Sequence, residues 1–293
     1  MGPSLDAIRE NLFPASHAAI GDWEKFPWHR DGHGVIQADK RHSSQALAID
    51  VFGTIKVSED RDRILSALAR ECGVPEEGPW KLNLEWTDDK NLLKELTPTQ
   101  VDAIAFGARG ILVFECKFKE TGGRCSQPDL IRDGPHAGMR QCNGNYEMQT
   151  NPVNGAASRC ALTGKGVRYW EIIPKIYGLS KDRDHRPCPF RGETYQWMRN
   201  VVLADRLASE LGVSSAVIAA YAEAEGLHTA KKVRAGPPGL PAAAGSGRTL
   251  VFPRSYQSIV ELAQKVASRR NDWIKLEGWV QGKIVAVAAS PLG

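Results

Sequence analysis

The chain has 293 residues, of which 42% are hydrophobic and 25% are charged, an ordinary composition for a globular protein that excludes disorder throughout. Its formal charge of +4, from 38 basic and 34 acidic side chains, permits a polyanionic partner without requiring one. No apolar run approaches the roughly 18 residues of a membrane span. We therefore expect neither a membrane span nor a membrane anchor.

Cysteine usage indicates a reducing compartment. The six cysteines include no C-x-x-C pair, and no charged and then apolar leader opens the chain, so we expect a cytoplasmic protein with free thiols. A zinc or iron–sulfur site would need a standard ligand spacing, which these residues lack. Idle or buried thiols are the better interpretation for Cys125, Cys142, Cys160 and Cys188.

The first 42 residues predict an irregular segment, because proline and glycines interrupt its aromatic stretch, DWEKFPWHRDGHG. His29 and His33 have the spacing of two metal ligands on one helix face, but Gly32 and Gly34 argue against a helix at this point. A metal-binding role for the two histidines is therefore the weaker interpretation.

Residues 43–228 predict the core of the protein. HSSQALAIDVFG indicates a short helix that the serines cap and Gly53 ends, and RDRILSALAREC indicates a second helix. Alternating polarity in WKLNLEW predicts a strand with one buried face. Two further strands, QVDAIAF and GILVFECKF, are joined by Gly107-Ala-Arg-Gly110, which is typical of a hairpin.

Later segments continue the mixture of helices and strands. VRYWEIIPKIYGL predicts a strand, TYQWMRNVVLADRLASELG a helix, and SAVIAAY another strand. Residues 229–248 concentrate Gly, Pro and Ala and predict a flexible loop, and residues 249–293 predict two helices that pack on the core. The whole pattern predicts an α/β fold with a central mixed β-sheet flanked by helices on both faces.

The hairpin sets the register of its two strands. With Phe106 beside Ile111 at the turn, Asp102 lies opposite Glu115. Directly opposed residues share a face, with Cβ atoms about 4.5–5.5 Å apart. Lys117 projects from the same face, because side chains alternate along a strand.

Two like charges at that distance destabilise a sheet unless something offsets them. Lys117 can do so, and so can a divalent cation, because two carboxylates with a carbonyl or water form the oxygen site that Mg²⁺ accepts. The alternative is a wet salt cluster in which Lys117 only screens Asp102 and Glu115. Apolar residues on the same face favour burial, where unpaired carboxylates are costly.

An acidic residue on one hairpin strand, followed by Glu-x-Lys on the next, resembles the PD-(D/E)XK nuclease family, with Asp102 and Glu115-Cys116-Lys117 as the matching residues. HSSQALAIDVFG, NLEW, ECKFKETGG, CALTGKGVRYWE and YQWMRN are together similar to an uncharacterised bacterial nuclease-like branch of that family, between residues 42 and 220. Val101 replaces the proline of the motif. The resemblance implies a restriction endonuclease-like core.

The resemblance also implies the residues of a metal site. Asp102 and Glu115 would hold Mg²⁺ or Mn²⁺, the Cys116 carbonyl would be a third ligand, and Lys117 would orient the attacking water. Family members often carry a glutamate on the preceding strand, which suggests a metal or water contact for Glu85. A solvent-facing glutamate is the alternative at that position.

Contacts with nucleic acid rest on weaker patterns. Gln45 on the first helix would contact the attacking water or the phosphate, although a capping or helix-surface role is equally compatible with the sequence. Trp197 and Met198 are predicted core. The candidates for contact with DNA or phosphate are Gln141 near Tyr146, Gln196, Arg199, Lys119, Arg124, Lys231, Lys232 and Arg234. The alternative for the basic residues is a solvated position, as is usual for charged loops.

We therefore expect a metal-dependent nuclease that hydrolyses phosphodiester bonds of DNA, double-stranded rather than single-stranded DNA or RNA, as an endonuclease in defence or restriction. A homodimer or a partner subunit is compatible with this function. The alternative is a non-catalytic nucleic-acid-binding or assembly subunit that keeps the nuclease fold. A catalytically inactive relative would more often lack one member of the set Asp102, Glu115 and Lys117.

Overall fold

The computed structural model of the chain describes residues 2–125, 160–177, 193–227, 229–235 and 251–289, and also 127, 130, 132–134, 137–138, 150–151, 156–157, 188 and 190. The helices are α1 Leu5–Glu10, α2 Ser44–Ala48, α3 Thr54–Val57, α4 Arg61–Glu71, α5 Ala161–Gly164, α6 Tyr169–Tyr177, α7 Tyr195–Leu211, α8 Thr229–Ala235, α9 Tyr256–Val266 and α10 Arg270–Ala288. The strands are β1 Lys81–Thr87, β2 Gln100–Phe106, β3 Gly110–Lys117, β4 Thr150–Asn151, β5 Ala156–Ala157, β6 Ser214–Tyr221 and β7 Val251–Ser255.

A five-stranded mixed sheet in the order β1-β2-β3-β6-β7 forms the centre of the fold. The first three strands are antiparallel, whereas β6 runs parallel to β3 and β7 runs parallel to β6. All eight residues of the central strand β3 are buried, which explains its nearly continuous apolar sequence. The predicted hairpin register is confirmed from Phe106 opposite Ile111 to Ala103 opposite Phe114.

Helices cover both faces of this sheet, so the predicted α/β class is confirmed. One face packs against α2 to α4, α9 and α10, with a core that includes Phe52, Leu68, Phe114, Tyr256 and Trp273. The other face packs against α6 and α7, with a core that includes Ile104, Val113, Ile173, Met198 and Leu203. Burial of this apolar surface supplies the main favourable free energy of folding.

The first 42 residues are not irregular throughout. They contain α1 and a 3₁₀ helix over Pro14–Ala19, and they form a small core against Ala46 and Ile49 of the following helix, with buried side chains from Ile8, Leu12, Ile20 and Trp28. The segment is therefore anchored beside the sheet.

The first core helix does not end at Gly53, as its sequence predicts. It continues through a π-helical turn over Ile49–Gly53 into α3. A Cβ at Gly53 would lie 3.1 Å from the Cβ of Ser16 and 3.3 Å from that of Ala19. The glycine therefore permits close packing of the N-terminal segment and does not cap the helix.

The prediction of a strand at VRYWEIIPKIYGL is wrong, because residues 169–177 form α6. β-branched and aromatic residues favour strands, but Tyr169, Ile173 and Ile176 recur at helical spacing, and all three are buried. The spacing of buried side chains by three to four residues therefore indicates the helix correctly, although the residue types favour a strand.

The C-terminal region differs from its prediction in two places. Residues 229–235 form α8 within the predicted loop, and β7 precedes the two predicted helices. Pro253 obscures β7, because proline disfavours interior strands; at the sheet edge it costs no ladder hydrogen bond on the open side. Among the described residues, none of the helices combines the length and apolarity needed to cross a membrane.

Candidate functional site

Asp102 lies where two strand ladders are interrupted. Between β1 and β2 the ladder pairs Leu84 with Ala103 and Trp86 with Val101, and it skips the pair between them, which would include Asp102. The ladder between β2 and β3 ends at Ala103. Regular backbone pairing is therefore absent around Asp102, which leaves space there for side-chain contacts.

The carboxylate of Asp102 occupies this interruption. Its Oδ2 accepts a hydrogen bond of 2.6 Å from the backbone N–H of Cys116, the neighbour of Glu115. The ladder stops one position short of the predicted Asp102–Glu115 pair, and the Asp102 side chain instead contacts the backbone of Cys116 on the facing strand. Cys116 itself points its side chain into the core on the opposite face, so only its carbonyl is left as a candidate ligand.

Glu85 on β1 is strained and buried. Its φ of +48° lies in the left-handed region that non-glycine residues rarely adopt, at the point where the ladder skips Asp102. Glu85 Oε2 accepts a 2.7 Å hydrogen bond from Gln100 Nε2 and lies 3.1 Å from His29 Nε2. The alternative of a solvent-facing glutamate is therefore wrong, and strain of this kind often accompanies function.

Glu115 and Lys117 form a buried ion pair on the face that packs against α7. Lys117 Nζ lies 2.5 Å from Glu115 Oε1, and the two residues are only 5% and 2% exposed. Asn200 of α7 donates from Nδ2 to Glu115 Oε2 at 2.5 Å. The two side chains share a face, as alternation predicts, and their burial rules out the wet salt cluster.

Electrostatics in this cluster favour a cation. The pKa of Asp102 is raised to about 7, first by burial and then by the charges of Glu115 and Glu85, although Lys117 opposes this rise. Burial alone would lower the pKa of Lys117, but the carboxylates of Glu115 and Asp102 outweigh burial and raise it. Lys117 therefore remains an ammonium ion at neutral pH.

Gln45 lies behind the site. It is 1% exposed, its Oε1 accepts a 2.8 Å hydrogen bond from the backbone N–H of His29, and its Nε2 donates to the Pro27 carbonyl at 3.0 Å. Both ends of the amide are thus occupied by the N-terminal segment. The structure does not support the expected contact of Gln45 with water or phosphate; Gln45 positions His29.

His29 joins the site from a segment that the sequence pattern separates from the core. One ligand atom each from His29, Glu85 and Asp102 lie within 4.8 Å of one another. Burial lowers the pKa of His29, but its hydrogen bond to Glu85 and the charges of Glu85 and Asp102 raise it overall. His33, its predicted companion, is exposed in the loop.

Other predicted contacts are placed less favourably. Gln141, Tyr146 and Cys142 lie outside the described residues. Among the residues that are described, His29, Glu85 and Asp102 are the only group of three or more His, Cys, Asp or Glu close enough to hold a metal, so Cys125, Cys160 and Cys188 form no such group.

Several of the basic side chains are engaged by carboxylates. Arg124 and Lys232 both pair with Glu193, and Arg234 pairs with Glu223. Within the described part of the chain, Lys119 and Lys231 form no such ion pair. On α7, Arg199 donates to the Gln100 carbonyl at 3.2 Å, and Gln196 packs beside Gly123. The core positions predicted for Trp197 and Met198 are confirmed.

Sequence patterns missed one member of the site, Asn200, and led to the rejection of another, His29. Asn200 interrupts an apolar stretch of α7 and is fully buried, a signal that a polar side chain has a partner in the interior. Among the described residues, its Oδ1 has no hydrogen-bond partner, although its Nδ2 holds Glu115. His29 is marked only by its spacing from His33, and the neighbouring glycines argue against the helix that this spacing requires.

A family model described as "Restriction Endonuclease associating with ARP" matches residues 8–235. This range includes the N-terminal segment with His29, the strands β1 to β3 and β6, and the helix α7 with Asn200. No curated protein matches the chain, and no solved structure does.

Proposed function

We propose, from the premise that the chain belongs to the family of restriction endonucleases associating with ARP, that it is a metal-dependent nuclease of the PD-(D/E)XK type that hydrolyses phosphodiester bonds of DNA. One observation carries the proposal: Asp102, at the interruption of two ladders, lies beside Glu85 and beside the buried Glu115–Lys117 pair. A buried excess of acid has no evident structural use at this position.

The residues present fit a divalent cation. The carboxylates of Glu85 and Glu115 both act on Asp102, and their repulsion contributes to its raised pKa, whereas Lys117 is the one cation that opposes it. Hard oxygen donors of this kind are the ligands that Mg²⁺ and Mn²⁺ accept. We assign metal binding first to Asp102 and Glu85, with the Cys116 carbonyl as a further donor; Glu115, whose two oxygens are held by Lys117 and Asn200, would join them by releasing one of these partners. When bound, the cation would polarise a phosphoryl oxygen and lower the pKa of a water molecule.

Lys117 is assigned the electrostatic part of the reaction. Because Glu115 holds its ammonium group and the pKa of Lys117 is raised, this lysine is a poor proton acceptor. It instead stabilises negative charge that develops on the phosphate and orients the attacking water, as fixed donors do in other active sites. Asn200 keeps the carboxylate of Glu115 in place through its other oxygen.

An assembly role is the second candidate, because the family description itself names an association with ARP. In that case the chain would bind nucleic acid or a partner protein without cutting, or would cut only within a complex. The complete set of Asp102, Glu115 and Lys117 favours catalysis, since a binding subunit has no need of it.

The test is cleavage of plasmid, linear double-stranded DNA, single-stranded DNA and RNA by the purified chain, with Mg²⁺, Mn²⁺ or a chelator. Asp102→Asn and Lys117→Ala should each lower the rate by about 10²–10³-fold, the usual cost of one charge-stabilising group. Lys81→Ala, at an exposed lysine of the same sheet, is the matched control. Undiminished cleavage by both site variants would refute the assignment, and cleavage of none of the substrates would favour the assembly role.

A further inference from the structure

We infer that His29 is a nitrogen ligand of the metal and that it gives the site a preference for Mn²⁺ over Mg²⁺. The inference rests on the proposed function, which requires the metal. It departs from a site built from carboxylates, carbonyls and water alone, because one ligand would come from the N-terminal segment and would be an imidazole.

The distances suit a single ion. Two ligands at about 2.2 Å from one metal lie about 3 Å apart when adjacent and about 4.4 Å apart when opposite. His29 Nε2 is 3.1 Å from Glu85 Oε2, and the most distant atoms of the group that includes Asp102 are within 4.8 Å of each other. Small side-chain rotations would bring all three atoms to one cation.

The backbone of His29 is clamped on both sides. Its N–H donates to Gln45 Oε1, its carbonyl accepts a 2.9 Å hydrogen bond from the Gln37 N–H, and Gln45 also binds the Pro27 carbonyl. The neighbouring Trp28 is buried, and the centroid of its ring lies 4.6 Å from that of the Phe26 ring. Both ends of the buried Gln45 amide thus bind backbone groups at or next to His29. Hydrogen bonds of this kind orient a metal ligand.

A simple ion pair between His29 and Glu85 explains less of what is present. It leaves Asp102 within reach of the same imidazole while the neighbouring Lys117 is paired with Glu115, and it gives no reason for the left-handed backbone of Glu85. The side chain of His29 is 45% exposed, so an ion from solvent can reach the three ligand atoms. A shared cation accounts for all three features.

Imidazole in the ligand set changes which metal binds best. Mg²⁺ strongly prefers oxygen ligands and gives up its water reluctantly, whereas nitrogen ligands suit first-row transition ions. Mn²⁺ should therefore bind more tightly than Mg²⁺ in the native chain. Loss of His29 should weaken Mn²⁺ binding by at least the roughly 10-fold that follows loss of an outer-shell partner, and should weaken Mg²⁺ binding less.

The experiment combines calorimetric titration of the full chain with Mn²⁺ or Mg²⁺ and pulsed electron paramagnetic resonance of bound Mn²⁺, in which a coordinated imidazole produces nitrogen modulation of the echo. The variants are His29→Ala, His29→Asp, which replaces nitrogen by oxygen, and the control His33→Ala, an exposed histidine in the same loop. Circular dichroism checks that each variant is folded.

We expect nitrogen modulation in the native chain and in His33→Ala, and none in His29→Ala or His29→Asp, with His29→Asp retaining Mg²⁺ binding. Bound Mn²⁺ without nitrogen modulation, unchanged Mn²⁺ affinity in His29→Ala, or no Mn²⁺ binding would each overturn the inference. If DNA is cleaved but no nitrogen is coordinated, only the role of His29 fails. If nitrogen is coordinated but nothing is cleaved, the proposed nuclease activity fails and the ligand stands.

Discussion

The described residues include two buried pairs of a carboxylate and a lysine, and the surroundings of these pairs differ. Asp50, in the π-helical turn, lies 2.6 Å from Lys283 Nζ of α10. Its Oδ1 also accepts the Phe13 N–H, and its Oδ2 accepts the Trp279 indole N–H. One carboxylate meets one ammonium and two neutral donors, so the group is closed and joins the N-terminal segment, the core helix and α10.

The Glu115–Lys117 pair is equally buried but is not closed. Asp102 brings a second carboxylate to the same lysine, and Glu85 and His29 place ligand atoms within 4.8 Å of Asp102. The comparison shows that burial of an ion pair is no sign of function by itself. What distinguishes the second pair is that its surroundings contain more carboxylates than cationic side chains. A bound metal cation can offset this excess of negative charge.

Breaking the closed pair should have the largest effect. Asp50→Ala leaves the ammonium of Lys283 buried without its partner, which costs about 3–5 kcal/mol of unfolding free energy, as urea denaturation would measure. Replacing both residues by apolar ones, Asp50→Leu with Lys283→Met, should recover most of that loss. A loss below about 1 kcal/mol in the single variant would show that the pair is not structural.

Removal of one neutral donor from each pair gives a smaller and more equal effect. Asn200→Ala and Trp279→Phe each delete a hydrogen bond to a buried carboxylate, and each should cost about 1.5–3 kcal/mol in the same denaturation experiment. Only Asn200→Ala should also reduce DNA cleavage by the folded protein. Equal loss of cleavage in both variants would remove the functional distinction between the two pairs.

Neutralising the excess acid should raise the free energy of unfolding, whereas the substitutions above should lower it. In chelator at pH 8, Asp102→Asn should raise the unfolding free energy by about 1–2 kcal/mol, less than full burial would imply because the carboxylate is partly exposed. The pKa of Asp102 is raised to about 7 in the folded state. Its ionisation therefore costs stability, which falls as the pH rises from about 4 through 7.

Added Mn²⁺ should make the native chain more stable than Asp102→Asn. The metal stabilises the native chain by binding to it and should stabilise the variant much less. Thermal unfolding with and without the metal measures both effects. An Asp102→Asn variant less stable than the native chain in chelator would show that the acid excess is compensated within the protein.

The part of the site that local rules govern could be predicted from the sequence. Turn chemistry and strand alternation place Asp102, Glu115 and Lys117 together, because both act over a few residues. The sheet and its flanking helices follow from the same periodicities. Failures arose where two signals conflicted, as in α6, where residue type favoured a strand, and in β7, which Pro253 disguised.

Contacts between distant segments could not be predicted from the sequence. His29 meets Glu85 across 56 positions, and Asp50 meets Lys283 across 233. The histidine lies in a loop whose glycines suggest only irregularity, and the left-handed backbone of Glu85 follows no residue preference. These features depend on tertiary packing, which no single sequence window contains.

The clamp of Gln45 on the segment around His29 has a consequence for where the functional unit begins. A boundary at residue 43 would keep every carboxylate and the lysine, yet would discard the imidazole and expose the buried amide of Gln45. With our inference on His29, such a fragment would keep the sheet but not the preference for Mn²⁺. The family match, which begins at residue 8 within α1, includes the histidine together with the sheet residues of the site.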